Sequence, residues 1–158
     1  IEVDELQYPI HVSKRYVTAD TEGAGKFRGS PSAYCEFGPI EECSMKVLYT
    51  SDGSINPAKG ARGGLSGGVA KTFKRELNDT LTELPNCYGL ALEPGEMVVS
   101  YSAGGGGYGN PKERAIDRVL NDYKEGWISK ERAKETYGVL IDKDDEIDFI
   151  TTEKLRHQ

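Results

Sequence analysis

Through the first hundred residues the apolar positions fall in short β-branched and aromatic runs punctuated by Gly, Pro, Asn and Asp, the grammar of antiparallel β-structure. The runs predict strands over residues 10–18, 32–37, 45–50, 89–92 and 96–101. In the first, Val12, Lys14 and Tyr16 alternate imperfectly with Ser13, Arg15 and Val17, so the pattern does not settle which face is buried. Pro94-Gly95 predicts a turn between the last two strands. The opening IEVDELQYPI reads as leading directly into a strand, and its first residue, Ile1, marks the chain as processed or as a piece of something larger. Residues 51–76, SDGSINPAKGARGGLSGGVAKTFKRE, are glycine-rich with little periodicity and predict a long loop. Loops of this length are functional or ordered by a neighbour, because ordering one costs entropy that nothing local repays.

From Asn110 the pattern changes to helix. Asn110 suits an N-cap and Pro111 the first helical position, and Ile116, Val119, Leu120 and Tyr123 follow at i, i+3, i+4 and i+7, with Gly126 placed to end the helix. A second helix starts at once, with Ser129 as N-cap and Ala133 on its apolar side, and ends at Tyr137-Gly138. Trp127, at the break between the two, is expected to plug the core there. The remainder predicts a short strand and an acidic tail, with a docked helix near Thr151–Arg156. The expected fold is therefore mainly antiparallel β, sandwich or barrel-like, with a C-terminal α-helical hairpin. The division is a β-rich part over residues 1–109 and a hairpin and tail over 110–158, packed on the same unit.

Composition narrows the function. A chain of 158 residues, 37% apolar, is one domain's worth of material. A net charge of −6, with Lys14, Arg15, Lys26, Arg28, Lys71, Lys74 and Arg75 spread among acidic residues, offers no track for nucleic-acid phosphates. No apolar run is long enough to cross a bilayer and no signal-peptide pattern is visible, so no membrane partner and a cytoplasmic location are expected. Cys35, Cys43 and Cys87 form no C-x-x-C pair, and with only His11 and His157 they cannot assemble a zinc site. They read as reduced thiols, and no metal ligand set is assigned.

Two glycine segments invite a phosphate-binding reading. SAGGGGYGNP holds Gly104, Gly105, Gly106, Gly107, Tyr108 and Gly109 between a strand and a helix, and Gly104, Gly106 and Gly109 satisfy G-x-G-x-x-G. A dinucleotide fold needs the helix to return to a parallel strand. Here the helix runs through Trp127-Ile128 into another helix, so the fingerprint fails. GARGGLSGGVAKT ends in Lys71-Thr72 like a phosphate-binding loop but has Ala70 where glycine should precede the lysine. A nest of N–H groups at Gly63, Gly64, Gly67 and Gly68, helped by Arg62 and Lys71, remains open as an anion site, against a flexible or partner-ordered loop. No Ser-His-Asp or Cys-His arrangement is visible, and the carboxylate runs read as solvated faces. No catalytic residue is assigned.

The order of segments carries a resemblance. YPIHVSKRYVTADTEGAGKFRGSPSAYCEFGPI, with its turn at Gly23–Gly29, and the succession of Leu84-Pro85, Leu92–Gly95, Gly104–Pro111, Ile128-Ser129 and Ala133–Val139 resemble the C-terminal portion of the B-type polypeptide in the hydantoinase B, 5-oxoprolinase and acetone/acetophenone carboxylase family. INPAKGARGGLSGG matches that family's glycine-rich loop more loosely. Ser100-Tyr101-Ser102-Ala103 departs from the Thr-Pro many members carry before the glycines, and Asn110 replaces a frequent Asp. The resemblance implies the C-terminal part, or a small subunit, of a multi-subunit ATP-dependent enzyme acting on a cyclic amide or a ketone. It implies as partners a larger B-type portion and an A-type ATP-binding subunit, with ATP and a divalent metal held in the complex and none by this chain. The carboxylases' metal-binding His and Asp positions would lie upstream of this segment. A non-catalytic module that completes the larger subunit's fold and interface is the alternative. The glycine run is then expected to be a structural turn packed against that subunit, in preference to a substrate or phosphate channel.

Overall fold

A computed structural model describes residues 1–157. In chain order the elements are α1 (Glu2–Gln7), β1 (Ile10–Val17), β2 (Ala33–Pro39), β3 (Met45–Thr50), β4 (Lys71–Arg75), β5 (Leu81–Glu83), β6 (Cys87–Leu92), β7 (Met97–Tyr101), a 3-10 turn (Pro111–Glu113), α2 (Ile116–Lys124), α3 (Lys130–Glu135) and α4 (Phe149–Arg156). The strands form a five-stranded sheet, ordered β1-β2-β7-β4-β5, and a two-stranded ribbon of β3 and β6. The architecture is thus mainly antiparallel β followed by helices, and neither sheet closes into a barrel.

The chain folds into two compact units, each assembled from interleaved segments. One comprises Ile1–Tyr16, Ala33–Asn56 and Val69–Ala103; the other comprises Val17–Ser32, Pro57–Gly68 and the chain from Gly104 onward.

The first unit holds both sheets. In the larger one Tyr34 pairs with Tyr101, and Tyr101 in turn with Lys71 on β4. An aromatic ladder crosses one face: Tyr16 stacks on Tyr34 at 4.5 Å, Tyr34 meets Tyr101 edge-on at 5.0 Å, and Phe73 meets Tyr101 at 6.3 Å. Such pairs contribute beyond the area they bury. Glu36, two residues along β2 from Tyr34, is buried on the same face. It accepts the Tyr34 phenol hydrogen bond at 2.6 Å and pairs with the Arg75 guanidinium, with Lys14 Nζ 3.9 Å away. Burial pushes the Glu36 carboxyl up. The hydrogen bonds from Tyr34 and Ser13 and the charges of Arg75 and Lys14 outweigh it and hold the group below the ordinary carboxylate range. Burial beside this carboxylate raises the Tyr34 phenol. Because the folded pKa is depressed, Glu36 stabilises the fold above the unfolded carboxylate value of about 4.3, and that contribution is lost as pH falls through the folded value. Thermal melts in steps below pH 5 should therefore show a loss of stability that Glu36→Gln reduces; an unchanged pH dependence in that variant would remove Glu36 from the account.

The second unit contains α2, α3 and α4 around a core of Ala24, Val119, Ile128, Ala133, Tyr137, Val139 and Ile141. Its caps follow the sequence. Gly126 and Gly138 lie at φ 72° and 65°, the left-handed conformation glycine adopts without steric cost, and Ser129 accepts the Arg132 N–H at 3.0 Å. Asn110 caps only a single 3-10 turn, accepting the Lys112 N–H at 3.0 Å. Arg114 and Ala115 are then extended before α2 begins, and the Arg114 side chain turns inward to a buried carboxylate. At the break between α2 and α3 the core plug is Ile128, 2% exposed. Trp127 is half-buried instead, with the Arg28 guanidinium 4.5 Å over its ring. The expected C-terminal helix exists as α4, with Asp148 accepting the Thr151 N–H at 2.9 Å; the expected strand before it is a lone Ile141–Ile147 bridge.

Two further expectations are corrected. Residues 2–7 form a short helix, with Glu2, Asp4 and Glu5 in its first turn where negative charge is favoured. The 51–76 loop contains β4 at its end, where Lys71–Arg75 pairs with both β5 and β7. Strand β5, three residues long and exposed at each position, carried no periodic signal.

Candidate functional site

The glycine segments of the second unit meet. Residues 23–30, 58–68 and 104–109 include no helix or named strand, yet each is hydrogen-bonded through its backbone to both others. Tyr108 N–H donates to Phe27 O at 2.8 Å and Phe27 N–H returns to Tyr108 O at 3.0 Å; Gly105 N–H reaches Ser30 O at 2.8 Å. On another side Gly104 donates to Gly68 O, Gly107 to Leu65 O and Gly109 to Ala61 O, each at 2.9 Å. Leu65 N–H to Ala24 O at 2.7 Å and Gly68 N–H to Thr21 O at 2.8 Å close the triangle. Three segments mutually bonded in this way form a bundle, not a flat sheet.

Glycine is required here by the absence of a Cβ. Gly104, Gly105, Gly106 and Gly107 are not among the residues with positive φ. A methyl group at Gly104 would strike Thr21 O, at Gly106 Lys59 O, and at Gly107 Ala24 O, all backbone atoms; at Gly25 its nearest neighbour would be Tyr108 N at 2.6 Å. Real Cβ atoms do not make such contacts. The glycines of one segment let the backbone of the next lie where a side chain would be. Gly109, at φ 76°, and Gly63, at φ 89°, need glycine for their backbone angles.

This arrangement decides where the proposed nest residues stand. Gly64, Gly67 and Gly68 donate their N–H groups to Ala61 O, Ala58 O and Thr21 O, so those three are not free to converge on an anion. Lys71 belongs to β4 of the first unit, whereas Arg62–Gly68 belong to the second. Arg62 keeps an exposed side chain, its guanidinium 5.9 Å over the Tyr108 ring.

Two buried carboxylates brace the bundle against the helices. Glu22 Oε1 accepts Arg132 Nε at 3.0 Å and the Tyr137 hydroxyl at 2.9 Å, while Arg132 also donates to Glu22 O. Burial next to this carboxylate raises the Tyr137 phenol far above its usual value. Asp122 on α2 receives Arg114 through Nε and Nη2, both at 2.9 Å, and Arg28 Nε lies 3.0 Å from its other oxygen. Arg156 ties α4 in by donating to Tyr137 O and Arg114 O. Sequence reading missed both carboxylates. Their partners lie 110 and 115 positions away for Glu22, and no local pattern marks such pairings. Arginine groups face both Asp122 oxygens and arginine and phenol groups occupy Glu22 Oε1, while Glu22 Oε2 is buried without a hydrogen-bond partner among the described residues.

Among the described residues no group of three or more His, Cys, Asp and Glu side chains is placed to hold a metal ion, and Cys35, Cys43 and Cys87 are unpaired. Among the described residues no helix is long and apolar enough to cross a membrane.

The chain thus comprises an antiparallel β unit and a glycine-braced helical unit. The family model for hydantoinase B/oxoprolinase matches residues 1–111, and the chain belongs to that family. It is 31% identical over 156 residues to the beta chain of the caprolactamase of Pseudomonas jessenii, covering 96% of this chain and 27% of that protein. It is 36% identical over 162 residues to the B-type chain of a putative D-/L-hydantoinase of Pseudomonas sp. strain NS671, covering 99% and 26%. The crystal structure of the ATP-dependent caprolactamase from Pseudomonas jessenii superposes with a TM-score of 0.81 at 25% identity, over the whole chain and 28% of its own. The nucleotide-free acetone carboxylase structure shares the fold, with a TM-score of 0.69 at 20% identity. The chain spans about a quarter of the length of these relatives.

Proposed function

We propose that this chain is the C-terminal part, or a small subunit, of a multi-subunit ATP-dependent enzyme that opens a cyclic amide or carboxylates a ketone. In that enzyme a larger B-type portion and an A-type subunit hold ATP and the divalent metal. The carrying observation is that nearly the whole chain aligns with about a quarter of the caprolactamase beta chain and of the hydantoinase B-type chain. The surface supports it: among the described residues 18 large hydrophobic side chains are exposed while 12 hydrophobic residues are buried, a balance suited to a body that is covered elsewhere. Within the assembly the segment's work is to complete the B-type fold, with the glycine bundle as its rigid frame and the chemistry carried by groups beyond it.

The test is to tag the polypeptide carrying this segment in its own cell and identify what purifies with it. An ATP-binding A-type subunit at near-equal stoichiometry is expected, together with a larger B-type body, joined or separate. Recovery of the segment without either would overturn the proposal. Lactam, hydantoin and ketone substrates are then separated by which one stimulates ATP hydrolysis in the purified complex.

A further inference from the structure

The bundle presents one group of side chains outward that neither its packing nor its charge pairs account for. Phe27 and Tyr108 are 55% and 47% exposed, and their rings lie 6.4 Å apart. Arg62 extends over the Tyr108 ring from a turn in which it and Gly63 hold φ 49° and 89°, closed by the Gly64 N–H to Ala61 O bond at 2.9 Å. Glycine, asparagine or aspartate would fill the first of those positions without strain. An arginine held there instead is a strained choice of the kind found at functional positions. Neighbouring Lys26 is neutralised by Glu113 at 3.3 Å, whereas Arg62 has no ion pair among the described residues.

We propose that Arg62, Tyr108 and Phe27 form the contact by which this segment docks onto the larger B-type portion. The occupant is an apolar stretch of that portion carrying an Asp or Glu opposite Arg62. This inference rests on the proposed function above. Two observations point to this occupant. The match takes in only 27% of the caprolactamase beta chain, so most of a B-type polypeptide lies outside it. The unneutralised guanidinium among exposed aromatics calls for a carboxylate set in an apolar surround. Arginine and tyrosine are the residues that dominate interface energetics, and these two stand on backbone already cross-linked by hydrogen bonds, so little order remains to be imposed on docking.

The experiment uses the whole complex with p-benzoylphenylalanine in place of Tyr108. After irradiation, cross-links are expected in an acidic, apolar peptide of the B-type portion outside this segment. Arg62→Glu should lower their yield about tenfold, while Arg62→Lys retains most of it. Arg62→Gly, which relieves the left-handed strain, should keep or raise thermal stability and still lose the cross-link, an outcome that a purely structural arginine would not produce. No cross-link, cross-links only to the A-type subunit, or a yield indifferent to Arg62→Glu would each overturn the docking site. A complex that holds no B-type body overturns the proposed function itself, and the docking site with it.

Discussion

Gly107→Ala is expected to be among the most damaging single-methyl additions in the chain, lowering stability by about 3 kcal/mol and the melting temperature by roughly 6–12 °C. The new methyl would meet the backbone of Ala24 and Gly23, held there by hydrogen bonds from neighbouring segments, and backbone cannot rotate aside as a side chain can. The bundle would have to separate one segment from the other two, loosening the bonds Gly107 makes with Leu65 and Ala61. Two glycines calibrate the result. Gly126→Ala meets nothing within 4 Å but takes a methyl to φ 72°, at a cost of roughly 1 kcal/mol. Gly89→Ala on β6 has only an ordinary contact with Leu48 at 3.7 Å and should stay within about 0.5 kcal/mol of the parent. Thermal melts of the three variants rank them; a Gly107→Ala variant as stable as Gly89→Ala would refute the close-approach argument.

Asp122→Ala carries the second large effect. This carboxylate is 3% exposed and faces both Arg28 and Arg114. Removing it leaves two guanidinium groups with a buried charge uncompensated, a loss of roughly 3–5 kcal/mol. Arg114 would retain its bond to Lys26 O at 3.3 Å and Arg28 its place over Trp127, so local rearrangement softens the loss without removing it. Asp122→Asn keeps the shape and one acceptor and should fall between. Asp117, exposed on the same helix, is the control, its alanine variant changing stability by a few tenths of a kcal/mol. Denaturant melts that place Asp122→Ala beside Asp117→Ala would show that the arginines find other partners.

What the sequence made legible was local. Alternation and turn residues located β1, β2, β3, β6 and β7 to within a few positions, and Ser129, Gly126 and Gly138 announced the helix ends because each acts through hydrogen bonds to its own neighbours. Strand β4 was hidden because Lys71–Arg75 has a single large apolar residue, Phe73, and owes its conformation to β7 and β5 on its two sides. The glycine segments showed their composition but not their meeting. Glycines 23–29, 60–68 and 104–109 are far apart in sequence, and a motif search reads each against ligand fingerprints, whereas the physical demand comes from the backbone of the other two. The Glu22 and Asp122 braces were hidden for the same reason, since a carboxylate's partner across the fold leaves no periodic trace.

The measurement that bears most directly on the whole account is ATP hydrolysis stimulated by a cyclic amide or a ketone, compared between this chain purified alone and the same chain within its reconstituted complex. The account predicts no turnover from the chain alone and substrate-dependent turnover once the B-type and A-type partners are restored. Turnover by the chain alone would contradict it.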